Sequence, residues 1–155
     1  METLGSLVDK LTIKDIREFH LRQMLEDEQC KFPRAELEAK LKVLAGQKKD
    51  LKAEIDDFIR AAVKSKKVSR DEKLKIYNAP ADIGRIPPTS SLGEAISGLA
   101  AKNLELWHLE DEARLKDVAL DHIGSVKRKI DLANQQRNDF IDKIDELFQK
   151  KIAKS

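Results

Sequence analysis

Apolar residues recur at alternating intervals of three and four along four long stretches of this chain. That spacing brings one face of an α-helix back to the same side, so each stretch carries an apolar seam that needs another helix to cover it. The first seam reads Leu4, Val8, Leu11, Asp15, Glu18, Arg22, Leu25, and the second Leu37, Leu41, Leu44, Lys48, Leu51, Ile55, Phe58, Ala62. The third reads Leu92, Ile96, Leu99, Asn103, Leu106, Glu110, Ala113, and the fourth Ile123, Val126, Ile130, Ala133, Arg137, Phe140, Ile144, Leu147. Composition points the same way. Only 5% of the 155 residues are aromatic, with six glycines and four prolines, too few turn-formers for a β-sandwich or barrel.

The spacing predicts helices over 3–28, 34–66, 91–116 and from the turn at 117–121 to 153. Pro33 suits the first turn of the second helix. Ser91-Leu-Gly-Glu94 has capping-box spacing for the start of the third. Short connections make antiparallel neighbours, so 3–66 and 91–153 read as two helical hairpins. Between them, 67–90 carries Pro80, Gly84, Pro87 and Pro88, and is long enough to cross the end of a bundle. Tyr77, Ile83 and Ile86 give it apolar groups to pack. The expected fold is all-α: a four-helix bundle with coiled-coil-like seams, in a single domain over 1–155.

The hairpins read as duplicates. A shift of 88 places Leu4-Gly5 on Leu92-Gly93, Leu11 on Leu99, and Phe19-His20-Leu21 on Trp107-His108-Leu109. A shift of 89 places Leu41 on Ile130, Leu51 on Phe140, and Ile55-Asp56 on Ile144-Asp145. The seam interruptions match too, Lys48 with Arg137 and Asp15 with Asn103. Folding each hairpin about its turn predicts one polar core layer of Asp15, Lys48, Asn103 and Arg137. A cation removed from water needs a partner, and such a layer specifies helix register. Arg137 with Asn138 also has the chemistry to hold a phosphate or carboxylate, although no glycine-rich loop accompanies it.

Other features narrow the function. No apolar run approaches a membrane span, and the Met1-Glu-Thr-Leu-Gly5 start lacks the basic and apolar regions of a secretory signal. Cys30 is the single cysteine, which leaves no internal disulfide; the expected compartment is the cytoplasm. The net charge of +2 gives no reason to expect nucleic acid. The basic residues Lys64, Lys66, Lys67 and Arg70, and Lys150, Lys151 and Lys154, complement helix C-termini. Glu105-Leu-Trp-His108 has the spacing of a di-iron half-site, but its repeat partner begins with Arg17. Glu54-Ile-Asp56-Asp57 echoes half of a magnesium-binding carboxylate motif without the other half. No metal, cofactor or catalytic residue is therefore assigned. Ile13, Ile16 and Met24, with Ala100, Leu104 and Trp107, form apolar stripes off the seams. The linker or a second copy of the chain could cover them, and this is the reason to expect a homodimer or another helical partner.

Lys129-Ile-Asp-Leu-Ala-Asn-Gln-Gln-Arg-Asn-Asp139 and Trp107-His-Leu-Glu-Asp111 resemble a small all-helical bacterial and phage family of unknown function. Its signatures are Trp-His-x-Glu-Asp and Asn-Gln-x-Arg-Asn-Asp. The likeness spans 91–147, and Leu4 to Ile13 resembles the opening of its members. The first hairpin departs from the pattern: no Glu-Asp follows Phe19-His20, and Gln47-Lys-Lys-Asp50 replaces Arg-Asn-Asp. The resemblance marks Trp107, His108, Glu110, Asp111, Arg137, Asn138 and Asp139 as motif residues and implies no activity. With Asn103 they are the ligand-binding candidates. The leading expectation is a non-enzymatic interaction or scaffold module, as a homodimer. The alternative is a small anionic ligand or nucleotide phosphate, either bound only or bound and hydrolysed, in a groove of Trp107, Glu110 and Arg137.

Overall fold

The computed structural model describes residues 1–68 and 85–155. The expectations for Arg70, Tyr77, Pro80, Ile83 and Gly84 lie outside these residues. Four helices account for about four fifths of the described residues: α1 (Leu4–Glu26), α2 (Arg34–Ser65), α3 (Leu92–Ala113) and α4 (Leu120–Lys154). Their starts follow from local chemistry. Thr3 and Ser6 exchange bonds, Thr3 N–H to Ser6 Oγ at 2.8 Å and Ser6 N–H to Thr3 Oγ1 at 3.2 Å, closing a reciprocal cap on α1. Ser91 Oγ accepts from the Glu94 N–H at 3.1 Å and starts α3. Pro33 is the N-cap of α2 rather than a residue inside its first turn. At its other end α2 stops on Lys66, which takes the left-handed conformation at φ 57°.

α1 and α2 run antiparallel. Lys14 Nζ reaches Gln47 Oε1 at 2.9 Å, and near the turn Arg34 Nη1 donates to the Leu25 carbonyl at 3.3 Å. α3 and α4 form the second antiparallel hairpin. α1 also packs on α3 and α4, so it lies between its own hairpin partner and the other hairpin. Its opposite faces serve the two contacts. Asp9, Thr12 and His20 meet the second hairpin, whereas Lys14, Asp15 and Glu18 face α2. At about 100° per residue, Asp9 and Glu18 are half a turn apart.

The apolar core is uneven. One cluster joins the N-terminal ends of α1 and α3 to the C-terminal ends of α2 and α4. It holds Leu4, Val8, Ala62, Ala95, Leu99, Phe140, Ile144, Phe148 and Ile152, with Ile55 and Phe58 packed against it. Phe58 and Phe148 place their rings 6.2 Å apart. A smaller cluster of Leu106, Leu109, Val126 and Ala133 lies within the second hairpin alone. The bundle thus has a four-helix core at one end, and at the other a smaller cluster that belongs to the second hairpin alone. No described helix is long and apolar enough to cross a membrane.

Two repeat-related glycines show how differently the hairpins sit at the four-helix end. A Cβ on Gly5 would sit 2.3 Å from the Ile141 carbonyl oxygen, and the Gly5 N–H donates to Asp145 Oδ1 at 2.7 Å. A Cβ on its repeat counterpart, Gly93, would meet nothing within 4 Å. Likewise Asp145 is buried, whereas its counterpart Asp56 is exposed. The hairpins match in sequence but occupy different surroundings.

Candidate functional site

Just beyond the closed core, a polar group joins α1, α3 and α4. Asp9 is buried, and both its carboxylate oxygens face Arg137: Nε donates to Oδ1 at 2.9 Å and Nη2 to Oδ2 at 2.6 Å. The two-point pair holds the guanidinium above its ordinary pKa, against the opposing effect of burial. Asn103, also buried, donates through Nδ2 to Asp9 Oδ1 at 3.0 Å and to Thr12 Oγ1 at 2.8 Å. Thr12 in turn donates to the Asp9 carbonyl at 2.9 Å.

The expected single layer is therefore corrected to two groups. Lys48 does pair with Asp15, at 2.7 Å, and also with Glu18 at 2.5 Å. This group sits between α1 and α2, on the far side of α1 from Arg137. Asp15 and then Glu18 raise the Lys48 pKa; Lys48 and then Arg22 hold Glu18 below the usual carboxylate value. The physical reason is the sandwiching of α1, which has two contact faces where one seam was expected. Asp9, off that seam, is the residue the sequence reading missed. The available signal was the i, i+3 pair Asp9 and Thr12 in line with Ile16 and His20.

Arg137 is 29% exposed, and its open side faces a cleft of about 400 Å³. α1 contributes Ile13, Ile16 and Arg17; α3 contributes Asn103, Leu106, Trp107 and Glu110, with Arg114 just after it; α4 contributes Asn134 and Arg137. Trp107 and Glu110 are three residues apart on one helix, as are Asn134 and Arg137 on another. Both spacings put the pair on one helix face, and the two faces converge here. Ile13, Ile16 and Trp107, expected to need the linker or a second chain as cover, are walls of this cleft.

His20 stacks on Trp107 with ring centroids 4.4 Å apart and planes 4° from parallel. Its Nε2 is buried without a hydrogen-bond partner. His108 meets His20 edge-on at 6.4 Å. The two aromatic-His-Leu triplets thus touch each other across α1 and α3.

The family model described as a protein of unknown function (DUF4254) matches the chain over residues 1–70 and 94–155. The chain belongs to this family. No curated protein and no solved structure matches it. One matched stretch covers α1 and α2, and the other runs from the first turn of α3 to the end of α4.

In this DUF4254 chain the cleft gathers four of the eight ligand-binding candidates: Asn103, Trp107, Glu110 and Arg137. The other four lie elsewhere. His108 borders a shallow outer hollow with Ala101, Leu104 and Glu112. Asp111 is exposed and 3.5 Å from Arg114. Asn138 is exposed, and Asp139 is buried outside the cleft lining. Their helix phase turns them from the faces that Trp107 and Arg137 present. Arg17, Asn134 and Arg114 are lining residues the sequence reading did not select. Among the described residues, no group of three or more His, Cys, Asp or Glu side chains is placed to hold a metal. Glu105 pairs with Lys102 at 2.8 Å, and Asp57 with Arg60 at 2.8 Å, both on the surface.

Proposed function

We propose that this protein is a helical ligand-binding module whose cleft between α1, α3 and α4 receives a small molecule with a negatively charged group. The carrying observation is the convergence of Trp107/Glu110 and Asn134/Arg137 on one cleft, with two guanidiniums beside them. Preformed clefts with apolar walls and a few convergent polar groups are the usual form of small-molecule sites. Arg17 and Glu110 have no ion-pair partner among the described residues, so the protein leaves charge in the cleft for something else to meet. The proposal assigns no catalytic step. The matching Leu4-Gly5 and Leu92-Gly93 starts and the aromatic-His-Leu triplets support reading the hairpins as copies of one ancestral unit. The single cysteine supports a reducing, cytoplasmic setting.

A thermal-shift screen with small anions tests the proposal. A ligand at 100 times its Kd adds about 2.7 kcal/mol of stability. The expected result is a raised Tm in the wild type and a smaller rise in Arg17→Gln. No shift with any anion counts against the proposal.

A second reading, self-association as an interaction module, draws on Leu104. It is 43% exposed beside Ala101 and Leu109 on the outer face of α3. Sedimentation at high concentration decides it: a dimer lost in Leu104→Glu supports it, and a monomeric wild type removes it.

A further inference from the structure

We infer that the ligand of this cleft is a small zwitterion, a molecule that carries a cationic amine and an anionic group on one apolar body. The inference rests on the cleft being a ligand site. The anionic group is a carboxylate or a phosphate, which guanidiniums receive by the same chemistry. Three observations carry it.

The first is the balance of charge. Arg17, Glu110, Arg114 and Arg137 line the cleft. Asp9 meets Arg137 in the two-point fork, and Asp111 meets Arg114 at 3.5 Å. Each of those pairs cancels. Arg17 and Glu110 remain, opposite in sign, and neither is ion-paired with the other or with a third described residue. A simple anion would satisfy Arg17 but meet Glu110 as a like charge, and a simple cation the reverse. A zwitterion matches both signs, and such matching decides which partner a site accepts.

The second is the division of donors and acceptors between helices. Asn103, Trp107 and Glu110 follow one another at intervals of four and three, on one face of α3. Asn103 is 5% exposed and spends both Nδ2 hydrogens, on Asp9 Oδ1 and Thr12 Oγ1. Its Oδ1 accepts no bond from a described residue, so an acceptor is all it has left to offer a ligand. Trp107 carries the aromatic ring that binds cations best. His20 covers one face of that ring and leaves at most the other for a ligand. This side of the cleft therefore suits an ammonium. The opposite side suits an anion: α1 supplies Arg17, and α4 supplies Arg137 through the edge that its fork leaves open.

The third is the wall around the charges. Ile13, Ile16 and Leu106 present apolar surface to the body that joins the two charged groups. Arg17 and Glu110 are exposed, so in water each attracts a counter-charge only weakly. A ligand seated on these walls displaces water from between the charges and strengthens both attractions. A volume of about 400 Å³ lies toward the small end of ligand pockets.

Trp107 is the single tryptophan, so its fluorescence reads this cleft directly. Leucine, 4-methylpentanoate and isoamylamine share one branched body and carry both charges, the anionic one alone and the cationic one alone. Phosphoethanolamine pairs an amine with a phosphate. Each probe is titrated to about 20 mM, a range suited to ligands of so few atoms. The expected result is a saturable change with leucine, at least about tenfold tighter than with either single-charge relative. Arg17→Gln and Glu110→Gln, both at exposed positions, each weaken leucine several-fold. Their side effects are opposite: Glu110→Gln strengthens 4-methylpentanoate, and Arg17→Gln strengthens isoamylamine. Binding of phosphoethanolamine in place of leucine, with the same two variant effects, also supports the inference and makes phosphate the anionic group. If 4-methylpentanoate binds as tightly as leucine and Arg17→Gln weakens it, the zwitterion is overturned and the anion site stands. Binding of isoamylamine alone, or no fluorescence change with any probe, overturns both.

Discussion

Asp9 of α1 and Arg137 of α4 meet in a two-point fork, with Asp9 almost wholly removed from water and Arg137 open on one side to the cleft. The pair ties the two hairpins together and fixes where the one open edge of the guanidinium points. Removing either partner alone strands a charge. Arg137→Met is expected to lose about 3 kcal/mol, since Asp9 is then buried and unpaired. Asp9→Leu with Arg137→Met should recover most of that loss. Urea unfolding of the single and double variants measures it. An Arg137→Met protein as stable as wild type would show that water replaces the fork.

Gly5 and Gly93 occupy equivalent positions in the repeat, yet they should respond oppositely to a methyl group. At Gly5 the added carbon collides with the Ile141 backbone, which cannot swing aside as a side chain can. Gly5→Ala is expected to cost about 2 kcal/mol or more. Gly93→Ala meets open space and gains helix propensity, so a stabilisation of about 0.5 kcal/mol is expected. Thermal melts of the two variants distinguish this from a symmetric pair of hairpins, in which both changes would act alike.

His20 keeps its place by stacking, not by hydrogen bonding at Nε2. Phenylalanine retains the ring and removes the orphaned nitrogen. His20→Phe is expected to match or exceed wild-type stability, by up to about 1 kcal/mol. A clear loss of stability would reveal a polar partner for this imidazole.

Acid should weaken the fold through carboxylates that basic neighbours hold ionised. Lys48 and Arg22 lower the pKa of Glu18, and Lys150 and Lys143 lower that of Glu146, from the usual 4.5. A depressed folded pKa means stability that is present above 4.5 and lost as pH falls through the lower folded values. Both groups are partly exposed, so each contribution is small and screened by salt. Denaturation midpoints should be flat from neutral pH to about 5 and fall below it. Glu18→Gln should shallow that fall, and an unchanged acid limb would exclude Glu18 as a contributor.

The helices were legible because their signals are local. Ser91 with Glu94 marked the start of α3, and the seam of α4 holds Val126, Ala133, Phe140 and Ile144, all buried. The Lys48–Asp15 pair was legible for the same reason, since hairpin partners fold back about one short turn. Asp9 was not. A seam identifies one buried face, and α1 buries parts of two. Which hairpin lies against the second face depends on contacts between residues more than 90 apart, such as Asn103 with Asp9 and Thr12. Half of the cleft was readable from Trp107, Glu110 and Arg137. Arg17 and Arg114 resembled ordinary surface cations until the crossing of α1 over α3 set them at one opening.

The uneven core divides the molecule into parts that need not unfold together. Amides of α4 around Ile144 and of α3 around Leu99 are anchored by all four helices and should exchange with solvent only on global unfolding. The buried cluster at the other end belongs to the second hairpin alone, so the C-terminal half of α1 should open at lower free-energy cost and exchange sooner. The cleft lies at that boundary, with Ile16 and Arg17 on the side expected to open first. An occupant would stitch the two parts together, and slowed exchange along α1 would register its arrival before any change of shape.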